Sequence, residues 1–207
     1  MKITKYEHAC FTVEEGDQTL VIDPGVYATS FEPPRNVVAV VVTHEHGDHL
    51  DKAHLQAIAA ANPDAIIVSH EGVTAQLGGL KTQTIIAGEG IKIGNFELEF
   101  YGGQHATIHP DIPVVANLGV MINGRMYYPG DSFALPEREV EVLALPVSAP
   151  WMKLSEAIDF ARTVKPGLIF PTHDAFLSDT GKELVDRLVP SLVNDTKYQR
   201  LTKPLEI

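Results

Sequence analysis

Short apolar runs crowd the start of the chain and read as strands at Lys2–Tyr6, Cys10–Val13 and Thr19–Ile22. Glu15-Gly16-Asp17 supplies turn chemistry between the second and third, and Asp23-Pro24-Gly25 stops the third. Val37–Val42 is apolar at every position and mostly β-branched, the pattern of a strand buried on both faces. Lys52–Ala61 is alanine-rich and predicts a helix ended by Asn62-Pro63, and Ala65–Ser69 predicts another buried strand. A β-rich stretch follows, with strands expected at Thr84–Ile86, Ile91–Ile93, Phe96–Tyr101, Val115–Ile122 and Arg125–Tyr128. Gly94-Asn95 and Asn123-Gly124 read as hairpin turns, the second being the favoured Asn-Gly pair. Val142–Leu145 then predicts a strand, Ser155–Val164 an amphipathic helix capped by Ser155, Leu168–Phe170 a strand, and Lys182–Leu188 a helix.

Strands in both halves, each half with helices following, predict an α/β (α+β) chain whose two sheets pack together with helices outside. With no repeat, low-complexity segment or long linker, the 207 residues are expected to form one domain over 1–207. No stretch approaches the roughly 20 apolar residues of a membrane span, and Met1–Glu7 lacks the apolar core of a secretory signal. Cys10 is the single cysteine and has no partner for an internal disulfide, so a reducing cytoplasm is the expected home. The formal charge of −11 argues against a nucleic-acid surface, which needs clustered Lys and Arg. It leaves anionic substrates open, because divalent cations add a local positive field that a net charge hides.

The chemistry is concentrated in His44-Glu45-His46-Gly47-Asp48-His49, directly after the buried Val37–Val42 strand. Histidines two apart at a strand's end can turn toward one side of a loop, leaving Asp48 and His49 to face a second position. Imidazole nitrogen and carboxylate oxygen suit Zn²⁺, and also Mn²⁺ or Fe, and the absence of thiolates argues against a closed structural zinc site. His105, Asp131 and His173 share one context, each lying just beyond a predicted strand and before a break in regular structure. In layered sheets such loops converge on one edge, where sites are built.

His44-x-His46-x-Asp48-His49, followed by His105, Asp131 and His173, resembles the signature of the metallo-β-lactamase superfamily. Asp23, after the apolar Leu20–Ile22, is similar to that family's first motif. The surroundings resemble most the small single-domain branch that includes L-ascorbate-6-phosphate lactonase, although Glu7 in Glu7-His8-Ala9-Cys10-Phe11 replaces the commoner glycine. The resemblance implies a four-layer αβ/βα sandwich of two mixed sheets flanked by helices. It implies a first metal on His44, His46 and His105, a second on Asp48, His49 and His173, and Asp131 bridging both. It further implies hydrolysis of a small-molecule ester, lactone, amide or phosphoester, with Asp48 as the catalytic carboxylate orienting the attacking water.

Around that set, His8, Asp23, His109 and Trp151 are candidates for supporting the ligands or lining the substrate pocket. Asp23, Asp51 and Asp174 are the carboxylates available to receive a ligand histidine's other N–H. Lys153 is positioned in sequence to meet an anionic group, though solvent exposure is the common fate of lysine. His54 is expected on the solvated face of its helix, and His70 at the end of a strand. Two other readings stand beside hydrolysis: a metal-binding regulatory module without turnover, and a diiron redox protein. The second resembles versions of the family with an acidic residue where His46 stands, so His46 favours hydrolysis.

Overall fold

The apolar run at Val37–Val42 uses both of its faces. Ala39 and Val41 enter one core, and Val37, Val40 and Val42 enter another on the opposite side. The same period of two sorts Leu20 and Ile22 from Val21, and Val142 and Ala144 from Leu143 and Leu145. Each of these strands therefore lies in a sheet covered on both faces.

The computed structural model describes residues 1–207. Its first half contains β1 (Lys2–Lys5), β2 (Phe11–Glu15), β3 (Gln18–Ile22), β4 (Val37–Val41), α1 (Lys52–Ala61), β5 (Ile66–Ser69), α2 (Glu71–Thr74) and β6 (Thr82–Thr84). Its second half contains β7 (Gly90–Ile93), β8 (Phe96–Gly102), β9 (Leu118–Ile122), β10 (Met126–Tyr128), β11 (Val142–Pro146), α3 (Leu154–Val164), β12 (Leu168–Thr172), α4 (Asp179–Leu192), β13 (Lys197–Tyr198) and β14 (Leu205–Glu206). One seven-stranded sheet runs β14-β1-β2-β3-β4-β5-β6 and the other β13-β12-β11-β10-β9-β8-β7. Both are mixed: β3, β4, β5 and β6 are mutually parallel, as are β10, β11, β12 and β13, and the remaining neighbours are antiparallel.

Three apolar cores account for the layering. The central one joins Phe11, Leu20 and Val41 of the first sheet to Phe96, Leu98, Phe100, Val120 and Phe170 of the second. Leu55 and Ile58 of α1 cover the outer face of the first sheet; Ala157, Phe160 and Ala161 of α3, with Val185 and Val189 of α4, cover that of the second. The arrangement is the expected α/β/β/α sandwich, and no helix is long and apolar enough to cross a membrane.

Local chemistry sets the element ends, and some differ from expectation. Asp51 caps α1 through the N–H of Ala53 (2.8 Å), and the helix ends at Asn62 as expected. The cap of α3 is Lys153 and not Ser155: the Glu156 carboxylate accepts the Lys153 backbone N–H at 2.7 Å, which starts the helix earlier. α4 extends beyond Lys182–Leu188 at both ends, because Ser178 caps it through Gly181 and Pro190 is tolerated in its last turn. Only Leu118–Ile122 of the expected Val115–Ile122 strand pairs regularly, since the residues before it bond to the His105 loop. β6 sits two residues earlier than expected, in parallel register with Ile67–Ser69. Asn123 and Gly124 both adopt positive φ (52° and 61°), the conformation that the expected tight hairpin demands.

Phe11 is fully buried where the two sheets meet, edge-on to Tyr128 and Phe170 at centroid distances of 5.4 and 5.7 Å. Phe11→Ala should destabilise the protein by about 3–5 kcal/mol, measured as a lower midpoint at unchanged m-value in chemical denaturation.

Candidate metal centre

In the first sheet β3, β4 and β5 share one direction; in the second, β8, β10, β11 and β12 do. Their C-terminal ends therefore lie at a common edge, which places Asp23, the 43–49 segment, His105, Asp131 and His173 together. Two backbone hydrogen bonds cross between the sheets there: Leu118 N–H to Thr43 C=O (3.0 Å) and His173 N–H to His8 C=O (2.9 Å). A third, from Ala106 N–H to Asp131 C=O (2.9 Å), ties two ligand loops of the second sheet. Gly25 is required by the closeness of this packing, since a Cβ there would lie 1.9 Å from the Asp48 carbonyl oxygen. Gly130 combines a φ of +62° with a Cβ position 2.4 Å from Asn117 Oδ1, so glycine alone suits the step before Asp131.

Atoms able to ligate a metal fall into three overlapping groups, each within 4.8 Å: His44, His46 and His105; His44, His49 and Asp131; and His8, Asp48, His49 and His173. In most of the rings one nitrogen is already engaged. His49 Nδ1 donates to Asp23 Oδ2 (2.7 Å), His173 Nδ1 to the Ser148 carbonyl (2.7 Å) and His105 Nδ1 to the Ala106 carbonyl (2.5 Å). His44 Nδ1 lies 3.1 Å from Thr43 Oγ1, whose own hydroxyl donates to Asp23 Oδ2 (2.7 Å). These contacts orient the rings and leave their Nε2 atoms facing inward. The Nε2 atoms of His49, His105 and His173 and Oδ1 of Asp131 are buried without a hydrogen-bond partner. Inward-facing buried nitrogen and carboxylate oxygen, with no thiolate, fit a borderline divalent cation such as Zn²⁺.

His8 differs from the others. Its Nδ1 accepts the Ala175 N–H (3.2 Å), so the proton sits on Nε2 and is donated to Asp48 Oδ2 (3.0 Å). Burial lowers its pKa to about 4 against the pull of Asp48, keeping the ring neutral. That tautomer makes His8 a donor to Asp48 and not a metal ligand.

The cluster holds buried negative charge that calls for a positive counterpart. Burial opposes charge on His49, yet Asp131 and Asp23 outweigh it and raise its pKa well above the ordinary range. Burial likewise opposes charge on His173, which its contacts with Asp131 and Asp48 nonetheless raise to about 9. At Asp131 burial favours the neutral acid, but His49, with His105 and His173, holds the carboxyl well below its usual value. His44, deeply buried and facing His49, is pushed the other way. The carboxylates thus demand positive charge between them, which protons or divalent ions can supply.

The other candidates scatter. Asp23 gathers the Thr43 N–H, the Thr43 hydroxyl and His49 on its carboxylate. Asp51 caps α1, and Asp174 pairs with Arg200, so neither receives a ligand histidine. Trp151 reaches the centre through its indole N–H, 2.7 Å from Asp131 Oδ2. His109 is exposed and accepts the Asp111 N–H, outside the cluster. Lys153 stands at the head of α3. His54 is partly buried against Phe31 and Pro24 and not simply solvated, and His70 caps α2 with its Nε2 3.3 Å from Glu45. Cys10 is buried, and burial pushes its thiol pKa upward.

Several neighbours of the cluster had no role assigned to them individually from the sequence. Thr43 immediately precedes the histidine motif, which was a usable signal. Asn117 holds the backbone N–H of Asp131 through Oδ1 (3.0 Å), with no local pattern to announce it. Tyr27 and Phe176 pack edge-on to His8 at 5.2 and 5.1 Å, although 41% and 51% exposed, and form a half-open aromatic rim.

Two mixed sheets between helices, with a histidine–aspartate cluster at their strand ends, define the class as a metallo-β-lactamase fold. Residues 2–173 match the Beta-lactamase superfamily domain. The chain is 35% identical over 183 residues to Protein Rv0786c of Mycobacterium tuberculosis, covering 86% of each. It is 27% identical over 186 residues to the UPF0173 metal-dependent hydrolase MJ1163 of Methanocaldococcus jannaschii, covering 83% of each. The metallo-beta-lactamase fold protein YhfI of Bacillus subtilis superposes with a TM-score of 0.76 over 99% of this chain and 98% of its own, at 18% identity, a likeness of fold alone. The chain belongs to the metallo-β-lactamase superfamily.

Asp23→Ala removes the acceptor behind His49 and two of the bonds that hold Thr43. It should weaken metal retention by about 10–100-fold, read by competition with a chromophoric chelator.

Proposed function

We propose that residues 1–207 form one metal-dependent hydrolase domain acting on a small ester, lactone, amide or phosphoester. The observation that carries this reading is the convergence of the buried Nε2 atoms of His49, His105 and His173, none with a hydrogen-bond partner, on the Asp131 carboxylate. His44, His46 and His105 would hold one divalent ion, Asp48, His49 and His173 the other, and Asp131 both. Zinc suits the donor set first, with manganese or iron as alternatives. When bound, such ions polarise the bond to be cleaved and bring the ionisation of water toward neutral pH.

The remaining work falls to the chain itself. Asp48 is the most exposed carboxylate of the cluster, 19% accessible against 4% for Asp131 and 0% for Asp23. It therefore faces incoming water and substrate, and it is the group suited to orient the nucleophile. His8 fixes the Asp48 carboxylate through Oδ2, and Ala175 in turn fixes His8. Tyr27 and Phe176, packed on His8 and partly exposed, offer an apolar wall to substrate. The likeness of Glu7–Phe11 to the lactonase-containing branch makes lactones and sugar-phosphate-like metabolites the first substrates to screen, an argument from analogy.

Elemental mass spectrometry on protein purified without added metal or chelator should find about two transition-metal ions per chain, and fewer in Asp131→Ala. Asp48→Ala should lose about 10²–10⁴-fold in turnover on whichever ester or lactone the wild type cleaves, with its fold retained by circular dichroism. A metal-free wild type, even after reconstitution with Zn²⁺, Mn²⁺ and Fe²⁺, would overturn the reading.

A further inference from the structure

Trp151, the only tryptophan, lies between β11 and α3. Its indole ring packs edge-on to Phe133 at 5.1 Å and to His105 at 6.1 Å, and Phe133 in turn lies 5.1 Å from Phe160 of α3. Packing against the outer core therefore sets where the ring stands, independently of any hydrogen bond. From there Nε1 meets Asp131 Oδ2 at 2.7 Å, the shortest approach to that carboxylate. The other neighbours are His173 Nε2 at 3.0 Å and His105 Nε2 at 3.4 Å from Oδ2, and His49 Nε2 at 3.2 Å from Oδ1.

These four neighbours are chemically unlike. Each imidazole nitrogen is a donor when protonated and a ligand when not, so its contact with Asp131 depends on what the site holds. An indole N–H is a donor only and does not bind metal or lose its proton. It is thus the one side-chain hydrogen bond to the Asp131 carboxylate that survives when the histidines turn their lone pairs to cations. Were Asp131 to hold two ions, a fixed carboxylate plane would let it serve both. Free rotation would let it settle on one ion and abandon the other.

We propose that Trp151 is a positioning residue of the metal centre: its indole N–H pins the Asp131 carboxylate plane so that this side chain serves two ions. The inference rests on the two-ion reading above. It also makes the single indole a spectroscopic reporter of the site, because ion binding at Asp131 alters the acceptor of its N–H.

The test uses the full chain stripped of metal and titrated with Zn²⁺ alone. The wild type is compared with Trp151→Phe and with a chain carrying benzothienylalanine at position 151, where sulfur replaces the N–H and the shape is kept. Competition with a chromophoric chelator should show two equivalents in the wild type. Both replacements should bind one of them about 10–100-fold more weakly, and wild-type indole emission should change as Zn²⁺ binds. Thermal unfolding of the stripped proteins separates packing from positioning: lost packing lowers the Tm of Trp151→Phe but spares the isostere. An isostere that holds both ions as tightly as the wild type, or more tightly, would overturn the proposal while leaving the two-ion reading standing. So would an indole emission indifferent to two bound ions. A wild type that binds fewer than two ions overturns both, and needs no variant to show it.

Discussion

Everything at the site hangs on the registration of two sheets at one edge. The crossing bonds from Leu118 to Thr43 and from His173 to His8 fasten them within one residue of His44 and at His173 itself. Sheet register is unforgiving, because a slip of one residue sends every inward side chain outward. Phe11, Tyr128 and Phe170 interlock directly behind this seam, so the central core that stabilises the fold also fixes the separation of the ligand loops. The site is rigid because it is built on strand ends, and the strand ends are held by the largest apolar cluster in the molecule.

That rigidity offsets real local costs. His8, Asp23 and His173 adopt positive φ values of 57°, 43° and 58° without being glycine. Strain of this kind costs of order 1–3 kcal/mol per residue and persists only where the surroundings over-determine the backbone. All three belong to the cluster or directly support it. His173 turns left-handed while its N–H bonds His8, and Asp23 does so while taking three donors on its carboxylate. Burying carboxylates such as Asp23 and Asp131 is tolerable only because hydrogen-bond donors surround them.

The parts of this architecture that were legible in the sequence are those written locally. The continuous Val37–Val42 run marked a doubly covered strand, Asn123-Gly124 marked a hairpin, and the alanine-rich Lys52–Ala61 followed by Asn62-Pro63 marked a helix to the residue. The histidine–aspartate set was legible because its spacing within 44–49 is dense and its distant members share a strand-end context. Elements that exist through long-range pairing were not: β13 and β14 are two residues each and draw their order from β12 and β1. The ends of α4 take in Gly181 and Pro190, both poor helix formers, because the Ser178 cap and packing of Val185 and Val189 override propensity. The histidines that sequence could not sort were separated by burial. His8 has no exposed surface and supports Asp48, whereas His109, only four residues beyond His105, turns to solvent.

The supporting residues divide by what they are able to exchange. Asp23, the Ser148 carbonyl and the Ala106 carbonyl each accept a hydrogen bond from a candidate ligand histidine, and so fix which nitrogen faces the centre. Asn117 and Gly130 set the backbone that carries Asp131 without touching its carboxylate. His8 and Trp151 act on the carboxylates themselves, one on Asp48 and one on Asp131. His8 is held in its donor tautomer by a backbone N–H, and an indole has no other state. Both carboxylates are therefore oriented by donors whose direction does not depend on the occupancy of the centre. Such preorganisation separates a site that waits in its working geometry from one that must rearrange to reach it.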